Sequence, residues 1–82
     1  MITILYFGVL KQQLNTEREE INWSGGTGSE LLALLNSRGG EWAQYLNTQY
    51  IFRLVINKKI SSWNDIIPDN AEVGFLPPVT GG

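Results

Sequence analysis

The order of apolar and polar positions divides the chain into a small number of elements. Residues 2–8 (ITILYFG) are β-branched and aromatic, the profile of a strand. Ile2, Ile4 and Tyr6 fall on one face, Leu5 and Phe7 on the other. Apolar residues on both faces fit a central strand, or an edge strand covered by a partner. In VLKQQL, Leu10 and Leu14 stand at i, i+4, enough for a short helical turn. REEINW then alternates, with Glu19, Ile21 and Trp23 on one face and Glu20 and Asn22 on the other. It reads as a second strand running back beside the first.

SGGTGSELLALLNSRGG carries the clearest local signal. Thr27 followed by Glu30 is a capping-box spacing, in which each side chain satisfies a backbone N–H of the first turn. Leu31, Leu34 and Leu35 repeat at helical spacing and predict the buried stripe of the main helix. Arg38 suits the negative end of the helix dipole, and Gly39 and Gly40 form a stop in the left-handed region. A further turn through Trp42, Ala43, Tyr45 and Leu46 is expected to pack below the helix. The glycine-rich WSGGTG ahead of it has no evident purpose beyond flexibility.

YIFRLVINKKI predicts a third strand, with Phe52, Leu54 and Ile56 on one face and Ile51, Arg53 and Val55 on the other. Asn57, Lys58 and Lys59 turn the chain, and SSWNDIIPDN follows as loop and short extended segment. Within it, Asn70 is the best candidate for a left-handed residue. AEVGFL, residues 71–76, is the last strand. Four strands and one main helix in the order strand, strand, helix, strand, strand predict an α+β, two-layer roll with a mixed sheet. The β-grasp, or ubiquitin-like, fold has this order, with its first and last strands parallel in the middle of the sheet. The expected division is a β-grasp domain over residues 1–76 and an extended di-glycine tail over 77–82.

Composition narrows the chemistry. The 82 residues make one domain and contain neither cysteine nor histidine. That removes thiolate nucleophiles, disulfides, zinc sites and the usual general base, so no metal site is expected. Net charge is −2 with scattered signs, against the basic face that a nucleic-acid partner needs. With no leader and no run long enough to cross a membrane, the expected compartment is the cytoplasm. The eight carboxylates show no catalytic spacing, and Glu17, Glu19 and Glu20 read as a solvated face.

What remains is the sequence PPVTGG, residues 77–82. Pro77 and Pro78 end the sheet and hold the chain extended, and six residues reach at most about 20 Å. Gly81 and Gly82 give the thinnest cross-section a polypeptide can have. A stiff stalk with a slender tip suits the narrow active site of another protein. A terminal carboxylate is a poor electrophile and needs activation, ordinarily by adenylation. Sulfide could then leave a thiocarboxylate, whereas an amine would give an amide.

FLPPVTGG, residues 75–82, resembles the C-terminal signature of the molybdopterin synthase small subunit, the MoaD type of ubiquitin-like sulfur carrier. The likeness extends to ILYFGVLKQQLNTE, to VIN at residues 55–57 and to DNAEVGFLPPVTGG, and so covers essentially the whole chain. The resemblance implies an adenylating enzyme related to the ubiquitin activators, which uses ATP to adenylate Gly82 before its conversion to a thiocarboxylate. The tail then enters the large subunit of the synthase and gives its sulfur to a cyclic pyranopterin monophosphate, within a heterotetramer of two small and two large subunits. On this reading Gly82 carries the sulfur, Gly81 is the slender approach, and Pro77, Pro78, Val79 and Thr80 are the stalk. Phe7, Ile60 and Leu76 map onto an apolar docking surface, for which core packing is the competing explanation. Lys11 stands where the family often has arginine and is a candidate partner contact. Asn70 replaces a family glycine. The chain itself would bind no cofactor and catalyse nothing alone.

Three other readings use the same features. One is a sulfur carrier for thiamin or tRNA thiolation, against which the two prolines count. Another is a ubiquitin-like modifier of lysines. The last is a binding module with an inert tail.

Overall fold

The computed structural model describes residues 1–46 and 53–76. Eight elements follow in order: β1 (Ile2–Tyr6), α1 (Gly8–Leu14), β2 (Arg18–Ile21), α2 (Gly28–Asn36), α3 (Gly40–Tyr45), β3 (Arg53–Ile56), β4 (Lys59–Ser61) and β5 (Glu72–Leu76). The strands form one mixed sheet in the order β2-β1-β5-β3-β4. β1 and β5 run parallel in its interior, with Ile4 opposite Val73 and Tyr6 opposite Phe75, while the remaining pairs are antiparallel. This is the α+β, β-grasp arrangement that the element order predicts.

One face of the sheet makes the core. Ile2, Ile4 and Tyr6 of β1, Leu54 and Ile56 of β3, and Val73 and Phe75 of β5 are buried there against Leu10, Leu14, Leu31, Leu32, Leu35 and Leu46. Full burial of each such side chain stabilises by about 1.5–3 kcal/mol, so this single layer is the main source of stability in so small a domain. Trp63 stacks on Phe75 at 6.1 Å between ring centroids and closes one end of the layer.

The helix signals hold with two corrections. Thr27 caps α2, and Thr27 and Glu30 exchange hydrogen bonds as a full capping box. The buried stripe is Gly28, Leu31, Leu32 and Leu35, a regular i, i+3, i+4, i+7 set, and Leu34 is 48% exposed. α2 ends at Asn36, so Arg38 lies beyond its last turn and interacts instead with Glu19. Gly39 and Gly40 do adopt positive φ, at 77° and 56°, and they also begin α3.

A third correction concerns strand number. Asn57 and Lys58 both have positive φ, 50° and 69°, as in the two-residue turns that match strand twist. The chain therefore reverses at once and Lys59–Ser61 pairs with β3, giving a fifth strand where four were expected. Three residues are too few for alternation to show in the sequence. Of the predicted third strand, Ile51 and Phe52 lie outside the described residues.

The loop WSGGTG finds its purpose here. Gly28 N–H donates to Asp65 O at 3.2 Å, Ser29 N–H to Trp63 O at 2.9 Å, and Ile67 N–H to Gly26 O at 2.8 Å. Backbone lies against backbone, and a Cβ on Gly28 would overlap Leu54 Cδ2. Glycine is needed at that position for close approach.

Candidate functional site

The helices cover one face of the sheet; the site candidates lie on the other. Successive residues of a strand point to opposite faces, so burying Tyr6, Leu54, Val73 and Phe75 sends Leu5, Val55, Gly74 and Leu76 outward. The register aligns four strands: Leu5 lies opposite Gly74, Gly74 opposite Val55, and Val55 opposite Ile60. A row of apolar side chains thus crosses the sheet with a gap at its middle, where Gly74 has none.

The Phe7 ring covers that position, and beside it lies a shallow cavity of about 290 Å³ lined by Leu5, Phe7, Val55, Ile60, Gly74 and Leu76, with Lys58 and Glu72 also on its wall. Ligand pockets for small molecules are about 300–1,000 Å³ and more enclosed, so this basin suits one or two partner side chains better than a metabolite. Phe7 is 41% and Ile60 66% exposed, although both are large apolar residues. The structure brings Phe7, Ile60 and Leu76 together on one cavity wall, and none of the three belongs to the buried core. Lys11 is not part of this cavity; it lies on α1 with its ammonium 3.5 Å from Glu17. Leu5, Val55, Lys58, Glu72 and Gly74 line the basin without having been singled out. Their signal is the cross-strand row, which needs the register and so the fold.

The most strongly perturbed ionisable groups lie elsewhere. Tyr6 donates to Glu19 Oε2 at 2.7 Å, and Arg38 grips the same carboxylate with both nitrogens, at 2.9 and 2.8 Å. The guanidinium also lies 4.5 Å from the centroid of Trp42. Burial, then the Glu19 hydrogen bond, pushes the Tyr6 phenol far above its ordinary value. Burial pushes the Glu19 carboxyl up, but hydrogen bonds from Arg38 and Tyr6 outweigh it and the net shift is downward. Glu19 is accordingly no solvated carboxylate, unlike exposed Glu17 and Glu20. No buried side-chain polar atom among the described residues lacks a partner, and these contacts tie Arg38, which follows α2, and Trp42 of α3 to Tyr6 of β1 and Glu19 of β2.

A family model described as the ThiS family matches residues 4–82. The chain belongs to the ThiS family. It is 29% identical over 82 residues to the molybdopterin synthase sulfur carrier subunit of Escherichia coli (strain K12), with 100% of both chains covered. A protein of the same description from Haemophilus influenzae (strain ATCC 51907 / DSM 11121 / KW20 / Rd) is 23% identical, again over 100% of both chains. Among solved structures, a putative molybdopterin converting factor, subunit 1, from Pyrococcus furiosus matches with a TM-score of 0.77. It covers 95% of this chain and 97% of that one at 21% identity, which speaks to the fold.

In this ThiS-family chain the predicted tail residues Pro77, Pro78, Val79, Thr80, Gly81 and Gly82 lie outside the described residues. The structure does locate where they begin. Leu76 closes β5, a strand paired on both sides, and Leu76 itself lines the basin. Among the described residues no helix is long and apolar enough to cross a membrane.

Proposed function

We propose that this ThiS-family chain is the sulfur-carrying small subunit of a molybdopterin synthase. The observation that carries the reading is the end-to-end match: both curated relatives bear that name and are covered completely, so Gly82 aligns with the end of each. An interior strand that delivers the tail beside an exposed apolar basin supports it.

The chemistry follows from the residues available. The Gly82 carboxylate attacks the α-phosphorus of ATP on an adenylating enzyme, and pyrophosphate leaves. A sulfide equivalent attacks the acyl carbon, the bond to AMP breaks, and AMP departs with the electron pair. The product is a thiocarboxylate on Gly82. Inserted into the large subunit, that sulfur attacks an oxygen-bearing carbon of a cyclic pyranopterin monophosphate, the carbon–oxygen bond breaks and the oxygen leaves with the electron pair. Water then cleaves the acyl–sulfur bond to restore the carboxylate. Gly81 offers no side chain to obstruct entry, and Pro77, Pro78, Val79 and Thr80 hold the tip away from the domain. Phe7, Ile60 and Leu76 dock the partner, and Lys11, on α1 outside the basin, is a separate partner contact. The working assembly is two small and two large subunits in the cytoplasm. Catalytic groups for both transfers reside in the partners.

The test is the intact mass of the chain after incubation with its adenylating enzyme, ATP and a sulfur source. A gain matching replacement of one oxygen by sulfur, absent when Gly82 is deleted, is the expected result. An unchanged mass with an enzyme shown to be active would overturn the carrier reading.

A further inference from the structure

We propose that Gly74 is a positioning residue for docking: the missing side chain at the centre of the sheet lets the Phe7 ring lie down across β5, leaving the basin open for an apolar side chain of the sulfur-accepting subunit. The inference rests on the proposed carrier function and names what its docking surface selects.

The geometry is specific. A Cβ built on Gly74 would stand 2.9 Å from Phe7 Cε2 and 3.7 Å from Phe7 Cδ2, with Val55 Cβ at 3.8 Å. The Phe7 ring thus occupies the space over Gly74 that any other residue would fill. Gly74 has no positive φ, so nothing in the backbone conformation demands glycine. A glycine inside a paired interior strand normally costs stability and marks a close approach. Here the approaching group is the ring of Phe7, which leaves β1 at the start of α1 and folds back over the sheet.

The occupant is set by what leaves the same edge. Residues 77–82 follow directly from Leu76, which lines the basin, and six residues extend at most about 20 Å. A protein that takes up Gly82 in a deep site must therefore bring its surface against Leu76 and its neighbours. Lys58 and Glu72 flank the apolar floor, and neither has a salt-bridge partner among the described residues. The matching partner element carries one apolar side chain between an acidic and a basic group.

Alanine at position 74 lifts the ring into the basin while leaving the backbone acceptable. The test measures binding of the full chain to the molybdopterin synthase large subunit from the same organism, for the unmodified chain, Gly74→Ala, Phe7→Ala and the double variant. The expected result is at least about tenfold weaker binding for Gly74→Ala, as for the loss of one central anchor. In the Phe7→Ala background the same substitution should change binding little, because there is no ring to displace. A purely structural role for Gly74 would instead give the same loss in both backgrounds, and that result overturns the proposal, as does unchanged binding by Gly74→Ala. Failure of the unmodified chain to bind would overturn the carrier reading together with this one. Self-association of the chain that Gly74→Ala abolishes would make a second copy the occupant and sink the proposed partner. The ring-current shifts of the Leu5 and Val55 methyl groups report the ring position without any partner, and they should move in Gly74→Ala.

Discussion

Arg38→Ala should be among the most damaging single changes outside the apolar core. The guanidinium is 34% and the Glu19 carboxylate 20% exposed, and they share two hydrogen bonds at 2.8 and 2.9 Å. Fully exposed pairs contribute about 0.2–1 kcal/mol, and well-sheltered hydrogen bonds to charged groups about 1.5–3. Partial exposure places this bidentate pair near 1.5 kcal/mol, roughly midway between those ranges. Stacking on Trp42 at 4.5 Å adds about 0.5 kcal/mol at a site of this exposure. The total of about 2 kcal/mol corresponds to a fall of about 10 °C in Tm for a domain of this size.

A double-mutant cycle of Arg38→Ala with Glu19→Gln, read by urea unfolding, isolates the pair. Glutamine keeps an acceptor for the Tyr6 hydroxyl, so the coupling reports the ion pair alone. The Glu19 pKa is lowered on folding, so its contribution is fully present above the unfolded value of about 4.3 and is lost as pH falls through the folded value. The coupling should be about 1–1.5 kcal/mol at pH 7 and disappear once the folded carboxyl is protonated. A coupling under about 0.5 kcal/mol at pH 7, or one that persists in acid, would refute the reasoning.

Three further substitutions test the packing. Leu35→Ala should cost about 2–5 kcal/mol, whereas Leu34→Ala should stay within about 0.5, since the first is fully buried and the second 48% exposed. Equal losses in denaturant titrations would restore the stripe expected from sequence. Gly28→Ala should destabilise by about 1–3 kcal/mol, because the new methyl overlaps Leu54 and stands 3.3 Å from the Trp63 carbonyl oxygen. An unchanged urea midpoint would show that the loop packs less closely than described.

Elements with a local cause were legible in the sequence, and those with a tertiary cause were not. The β-branched and aromatic run of residues 2–8 and the Thr27–Glu30 capping box announced β1 and the start of α2, and Asn70 takes the left-handed conformation expected of it, with φ of 65°. The face of α2 was misjudged by one residue, because Leu32 and Leu34 satisfy helical spacing equally and only the direction of the sheet chooses between them. β4 escaped notice because it is three residues long and follows a turn whose first residue, Asn57, looks like the end of a strand. Glu19 read as surface charge, since its partners Tyr6 and Arg38 stand 13 and 19 residues away. The basin was half visible: Phe7, Ile60 and Leu76 came from resemblance, whereas Gly74 acquires meaning only from the register that sets it opposite both Leu5 and Val55.

The same register bears on why the tail leaves from this strand. β5 is held on both edges, by β1 in parallel and by β3 in antiparallel pairing, and its inward residues Val73 and Phe75 are fully buried. A partner that draws in residues 77–82 pulls along an element anchored on both edges. Such a pull loads backbone hydrogen bonds on both sides of β5 together, whereas an edge strand such as β4 would be held by one partner over three residues. On the proposed function, the position of the tail therefore couples its uptake to the whole sheet. The basin adds a second point of attachment beside the exit, so that a docked partner holds both the tail and the domain. Tail and basin then act as linked sites whose joint affinity exceeds either alone. Loss of the basin should therefore weaken uptake of the tail even though residues 77–82 are untouched.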